Sequence, residues 1–379
     1  MLCRLCSNPL FPEAGFTLLN VPSIAQYLHS NANASKVSST RLTVTTCEFC
    51  KLVQTMNPPV HYFRESIRNS SLSPTLMGWR RTQFSTFVSN HKLQEKNVLE
   101  VGCGKGELLE IMKDLNVNVV GTEFNPEFLE ICRGKELQVW KTYPTEPDFV
   151  EILGENTFDA FYTSQVLEHS PHPRDFLNSI RKTLKIGAVG LVEVPNYEMI
   201  ERDSLIYEFM TDHITYFSKE SLSLLLQLSG FEVIGATTHF NDYVLSLTVG
   251  YKKSNNLGSF IGRLENDQNS AKEFLENRKR SRLVLWGAGH QAFAATLLLG
   301  LDEHLSYVVD SSPDKQGKFV PGTSLQILSP EVLFNDVETD CVIVAAGGYN
   351  QEIVDTLQFR LQNQTEIFEF KSGKFISSR

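Results

Sequence analysis

From Asn97 onward, short apolar runs alternate with amphipathic stretches. NVLEVGCG, VNVVGTEF, FDAFYTSQ and GAVGLVEVP read as buried parallel strands, because they are nearly continuously apolar. Between them, KGELLEIMKDL and HPRDFLNSIRKTL carry helical spacing, and KESLSLLLQLSGFEVIGATTHF continues as a helix, a Gly stop and a strand. Ser218 is the expected cap of that last helix, with Glu220 in its first turn, where a negative charge suits the helix dipole. Such alternation predicts a doubly wound α/β sheet.

A polar, turn-rich stretch, KKSNNLGS at 252–259, reads as a linker, and a charged helix, FIGRLENDQNSAKEFLENRKR, follows. SRLVLWGAGHQ, LSYVVDSSP and DCVIVAAGG then begin a second strand-and-turn pattern. The first sixty residues hold four of the seven cysteines and little periodic apolar pattern. Four segments are therefore expected: 1–60, metal-binding; 61–95, a connecting helical segment that meets substrate; 96–251, a first Rossmann-like unit; and 260–379, a second.

The 379 residues exceed one ordinary domain, and 41% hydrophobic content supports sizeable cores. A net charge of −9 without a basic stripe argues against a nucleic-acid partner. No apolar run approaches the roughly 20 residues that span a bilayer. MLCRLCSNPLF has neither the basic head nor the long apolar stretch of a signal peptide. A cytoplasmic protein with reduced cysteines is expected, without a membrane partner.

Cys3 and Cys6 form one C-x-x-C, and Cys47 and Cys50 another. Two such knuckles place four thiolates around Zn²⁺, and a site with all four positions filled is structural. Neither pair lies in a βαβ pattern, which disfavours a redox role.

VLEVGCGKGELLEI is strand, Gly loop and helix, with Gly102, Gly104 and Gly106 spaced G-x-G-x-G. A dinucleotide fold prefers G-x-G-x-x-G. Here Glu100 precedes the loop, and Glu123 ends the next strand about 20 residues on, where an acid takes ribose hydroxyls. Carboxylates at strand ends suit a cationic ligand with an amino group better than a phosphate. S-adenosylmethionine carries both an ammonium and a sulfonium. The cofactor set is Glu100, Gly102, Gly104, Gly106, Glu123, Phe124 and, by the resemblance below, Gln165.

That loop resembles motif I of the class I S-adenosylmethionine-dependent methyltransferases. The order of zinc knuckles, methyltransferase and second Rossmann-like unit is similar to the C-methyltransferases that branch nucleotide-linked keto-deoxysugars. CRLC…CEFCKLVQ matches the zinc end, DHITYFS resembles an E-H-x-x-Y segment, and VVDSSPDKQGKFVPGTSLQI resembles the C-terminal stretch. Asp212 stands where that family usually has Glu, and THFNDYVLSLTV replaces a Gly-Gly-Ser pattern found in many of its members. The resemblance implies an acceptor pocket around His213 as general base, with Asp212, Tyr216 and Tyr62 beside it. Asn196, Gly287 and Lys315 are expected on the substrate, Lys315 against a diphosphate. Glu168 and His169 are read as catalytic or as structural caps.

The expected reaction is methyl transfer to a carbon beside a ketone of a nucleotide-linked deoxysugar, by a monomeric enzyme on a small molecule. Methylation of O or N on another metabolite remains open, as does a non-catalytic zinc-containing scaffold. Gly287, Gly289 and Asp310 also admit a nicotinamide reading of the last unit.

Overall fold

The computed structural model describes residues 1–25, 39–65, 73–252, 257–361 and 364–379. Residues 253–256 of the 252–259 stretch and the serines of 66–72 lie outside the described residues. The chain forms two compact units, 1–254 and 255–379.

The first unit opens with strands β1 (Gly15–Pro22), β2 (Ser39–Thr46) and β3 (Val53–Thr55). Helix α1 (Pro74–His91) follows, capped by Ser73 with Pro74 at its first position. Then come β4 (Asn97–Val101), α2 (Glu107–Asp114), β5 (Asn118–Glu123), α3 (Pro126–Gly134), β6 (Val139–Lys141), α4 (Phe149–Leu153) and β7 (Phe158–Ser164). After a 3₁₀ turn at Leu167–His169 come α5 (Pro173–Thr183), β8 (Leu184–Pro195), α6 (Tyr197–Arg202) and β9 (Thr215–Tyr216). Helix α7 (Lys219–Leu228), β10 (Glu232–His239) and β11 (Val244–Gly250) complete it. Ser218 caps α7 reciprocally: it accepts from the Ser221 amide, and Ser221 Oγ accepts the Ser218 N–H at 3.0 Å.

Seven strands form one sheet in the order β10-β11-β8-β7-β4-β5-β6. Five run parallel, while β11 is antiparallel to both β8 and β10. The strands read as continuously apolar because both faces are covered. Val98, Ala160, Tyr162 and Leu191 pack with Phe84 and Val88 of α1 and with Ile111 and Met112 of α2. Leu99, Val101, Phe161 and Val192 pack with Phe176 of α5 and with Leu222 and Leu225 of α7. Strand order reverses between β4 and β7, so their carboxyl ends open the crevice where ligands bind in such sheets.

The N-terminal segment holds more strand than its composition suggests. In β2, Leu42 and Val44 point inward with period two. Strands β1, β2 and β3 form a sheet that β9 completes, and the knuckle residues Leu5, Leu10 and Leu52 join the core of the large sheet. Residues 1–60 thus share one unit with the methyltransferase-like sheet.

The second unit contains α8 (Gly258–Glu276), β12 (Leu283–Trp286), α9 (His290–Leu298), β13 (Leu305–Val309), β14 (Ile327–Leu328), α10 (Pro330–Asn335), β15 (Cys341–Val344), α11 (Asn350–Arg360), β16 (Glu366–Lys371) and β17 (Lys374–Ser377). Its sheet runs β14-β13-β12-β15-β16-β17, parallel except for the last strand. Here too the order reverses beside a Gly turn, at Gly287 after β12.

Candidate active site

The chain leaves β4 through Gly102, Gly104 and Gly106, all with positive φ. A Cβ at Gly102 would stand 2.5 Å from Val166, and one at Gly106 2.4 Å from Leu137. At Gly104, with φ +55°, a Cβ would meet nothing within 4 Å. Gly104 lines a cavity of about 380 Å³, so its missing side chain leaves room for a ligand. Gly106 caps α2 and packs beneath the loop instead.

Glu100, Glu123, Phe124 and Gln165 line the same cavity. Glu123 braces the loop: Oε2 accepts the Gly104 N–H, and Oε1 accepts those of Phe124 and Asn125, each at 2.8 Å. Burial pushes its carboxyl upward, against these three donors that pull it down. Glu100 accepts the Tyr162 hydroxyl at 2.7 Å. Gln165 adopts φ +59°, rare for a side chain of its size, and its buried Nε2 has no partner among the described residues. An orphaned donor and an empty glycine cradle on one wall fit a bound polar ligand such as S-adenosylmethionine.

His213 lines this cavity with Glu168 and His169. Its ring stands 4.8 Å from that of His169, at 76°. Burial lowers the pKa of both histidines, and the neighbouring His169 ring lowers that of His213 further. Strand β9 begins two residues beyond His213 and pairs with β3, which fixes the segment over the sheet.

Asp212 and Tyr62 sit behind the histidines. The Tyr62 hydroxyl lies 2.9 Å from both Asp212 oxygens, and Oδ1 also accepts the Ala25 N–H and the Thr211 hydroxyl at 3.1 Å. The resemblance puts Tyr62 in the acceptor pocket, and here its hydroxyl donates to Asp212. Tyr216 and Asn196 differ from expectation. Tyr216 accepts the Met210 N–H at 3.0 Å and packs on Phe209, with burial raising its phenol. Asn196 caps α6 and donates to the Asp242 carbonyl at 2.9 Å. Both side chains are committed to the backbone around the pocket.

Arg64 and Tyr143 are cavity residues that the sequence reading missed. The Arg64 guanidinium stands 5.5 Å from the Phe124 ring and pairs with Glu146. Its neighbour Phe63 packs edge-on against Tyr143. Tyr143 follows β6 at the carboxyl edge of the sheet, a position that topology alone would have flagged.

The four cysteines form a second cluster. Cys3 and Cys50 Sγ are 3.5 Å apart, as are Cys6 and Cys47, and all four sulfurs lie within 4.8 Å of one another. Zn–S bonds of about 2.3 Å place tetrahedral sulfurs about 3.8 Å apart, so the set fits Zn²⁺. Gln54 donates to Cys3 Sγ and Asn8 to Cys6 Sγ, as outer-sphere groups do around thiolates.

In the second unit, Gly287 and Lys315 line a pocket with Asp310. Asp310 accepts the Ala288 and Ser312 amides and pairs with Lys315 at 3.1 Å. That carboxylate braces its own Gly turn.

A methyltransferase-domain family model matches residues 79–236, and a model of the C-methyltransferase C-terminal domain matches residues 247–370. The C-methyltransferase NovU of Streptomyces niveus is 23% identical over 307 residues, covering 74% of this chain and 71% of that protein. A ubiquinone biosynthesis O-methyltransferase of Idiomarina loihiensis is 31% identical over 106 residues, covering 27% of this chain but only 44% of that relative's own length. A solved 1,6-didemethyltoxoflavin-N1-methyltransferase of Burkholderia thailandensis is 15% identical with a TM-score of 0.40, over 60% of this chain and 100% of that one. Residues 79–236 are thus a methyltransferase domain, with the Gly loop, strand-end acids and strand order of the class I S-adenosylmethionine-dependent kind, and residues 247–370 match a C-methyltransferase C-terminal domain.

Proposed function

We propose that this enzyme methylates a carbon beside the ketone of a nucleotide-linked deoxysugar, through an enolate. The observation that carries this reading is His213, buried in the wall of the cavity that also holds Gly104 and Glu123. A neutral imidazole there accepts the proton from the carbon next to the ketone. The carbanion character so produced attacks in line. S-adenosylmethionine held against Gly104 and Glu123 would supply the methyl from its sulfonium, with the thioether as leaving group. Glu123 and Glu100 hold the ribose and ammonium ends in this reading, and Gln165 donates toward cofactor or acceptor. Asp212, braced by Tyr62, keeps the His213 segment in place.

The cysteine cluster is read as a structural Zn²⁺ site, closed by four thiolates with no position left open for a substrate. The pocket at Gly287 and Lys315 is read as a diphosphate site, with Lys315 as a point charge. The C-methyltransferase relative supports carbon as the acceptor. The O-methyltransferase relative supports a second reading, since a base in the pocket also serves a hydroxyl acceptor.

Co-purified ligand identified by mass spectrometry names the acceptor class. Turnover of that acceptor with ¹³C-methyl cofactor, followed by NMR, then reports whether the new methyl sits on carbon or oxygen. A methyl on oxygen overturns the C-methylation reading and leaves methyl transfer itself intact.

A further inference from the structure

The turn after β7 and the segment before β9 bring one carboxylate and two imidazoles together. Glu168, His169 and His213 each offer a ligand atom, and these atoms lie within 4.8 Å of one another. The three residues are 1%, 3% and 6% exposed, and all line the cavity. Backbone bonds stitch the two segments: the Ile214 N–H donates to the Glu168 carbonyl at 3.0 Å, and the Thr215 hydroxyl donates to it at 3.2 Å. His169 Nδ1 lies 2.9 Å from the Asp212 carbonyl. A carbonyl only accepts, so Nδ1 carries the hydrogen and Nε2 presents a lone pair. That Nε2 is 3.9 Å from Glu168 Oε1. Metal-binding histidines are held in this way, with one nitrogen on a backbone carbonyl and the other on the ion.

We propose that Glu168, His169 and His213 bind a divalent transition-metal ion, separate from the cysteine cluster. Two imidazoles and a carboxylate suit Zn²⁺, Co²⁺ or Fe²⁺, whereas Mg²⁺ and Ca²⁺ require oxygen donors. Bonds of about 2.0–2.1 Å put tetrahedral donors about 3.3 Å apart, against 3.9 Å between His169 Nε2 and Glu168 Oε1 here. Three protein ligands leave positions open toward the cavity. Coordination occupies the lone pair that a base needs, so the ion inhibits the enzyme. The inhibition rests on His213 as the base; the binding does not.

The test uses full-length protein with its cysteine cluster filled, titrated with Co²⁺ and analysed for metal per chain after gel filtration. Cobalt at thiolates shows sulfur-to-metal charge transfer, and cobalt at nitrogen and oxygen donors does not. Wild type is expected to bind one Co²⁺ without that band. His169→Ala and Glu168→Gln are expected to weaken it at least about tenfold. Retained cysteine-bound metal and an unchanged thermal midpoint show that each variant is folded, and His169→Gln replaces any that is not. Wild type without the extra Co²⁺, or folded variants that bind it equally well, overturns the site. Turnover should fall as Co²⁺ fills the site and return with a chelator. If Co²⁺ binds and turnover holds, the inhibition is overturned, and with it the base assignment, while the metal site stands.

Discussion

Thr55 donates its backbone N–H to the carbonyl of Ile214 at 3.0 Å, one residue beyond His213. Thr55 ends β3, and its own carbonyl receives the Arg4 guanidinium at 2.5 Å. Arg4 lies between the first two cysteines, and its amide donates to Gln54 Oε1, while Gln54 donates to Cys3 Sγ. The cysteine cluster and the histidine segment are therefore joined by a short run of hydrogen bonds.

Replacing Cys47 with Ser should remove the metal and loosen β3 and β9 together. Metal binding of this kind is coupled to folding, so stability should suffer more than chemistry. Wild type should carry about one Zn²⁺ per chain at the cysteines, and the variant none there. A loss of about 2 kcal/mol would lower the midpoint by roughly 4–8 °C in a unit of this size. Unchanged stability in a zinc-free protein would remove the metal from the account.

Glu123→Gln should weaken cofactor binding. Gln loses the charge and turns an N–H₂ toward backbone donors that now meet a carboxylate. Hydrogen bonds to a charged group are worth about 1.5–3 kcal/mol, which corresponds to roughly 10- to 150-fold in Kd. Gly104→Val should weaken it further, because it strains φ and fills the cradle. Calorimetry with S-adenosylmethionine measures both, and wild-type affinity in either variant would move the cofactor elsewhere.

Tyr62→Phe keeps the ring and deletes the donor to Asp212. Turnover should fall while S-adenosylmethionine affinity holds, because Asp212 then loses a partner behind the histidines. An unchanged turnover number would reduce Tyr62 to a packing residue.

The parallel strands were legible because both sheet faces are covered, as Val98 and Leu99 show by packing into opposite layers. The loop glycines and Glu123 were legible because their chemistry is local: a turn with positive φ and an acid at a strand end. Tyr216 and Asn196 were harder. Their residue types suited a substrate, and only the fold shows that Met210, Glu198 and Asp242 already engage them. Strand β3 was hidden because one of its two pairing partners is distant, β9 completing the sheet from residues 215–216. The Glu168–His169–His213 cluster was invisible for the same reason, since its members are brought together across some 45 residues.

The most direct test is the turnover of His213→Asn, freed of added metal, on the nucleotide-linked keto-deoxysugar identified as its acceptor. Asn keeps a hydrogen bond but cannot take the proton. General-base catalysis contributes about 10²–10⁴-fold, so kcat should drop within that range while S-adenosylmethionine affinity stays at the wild-type value. An Asn variant that turns over like wild type would contradict His213 as the base.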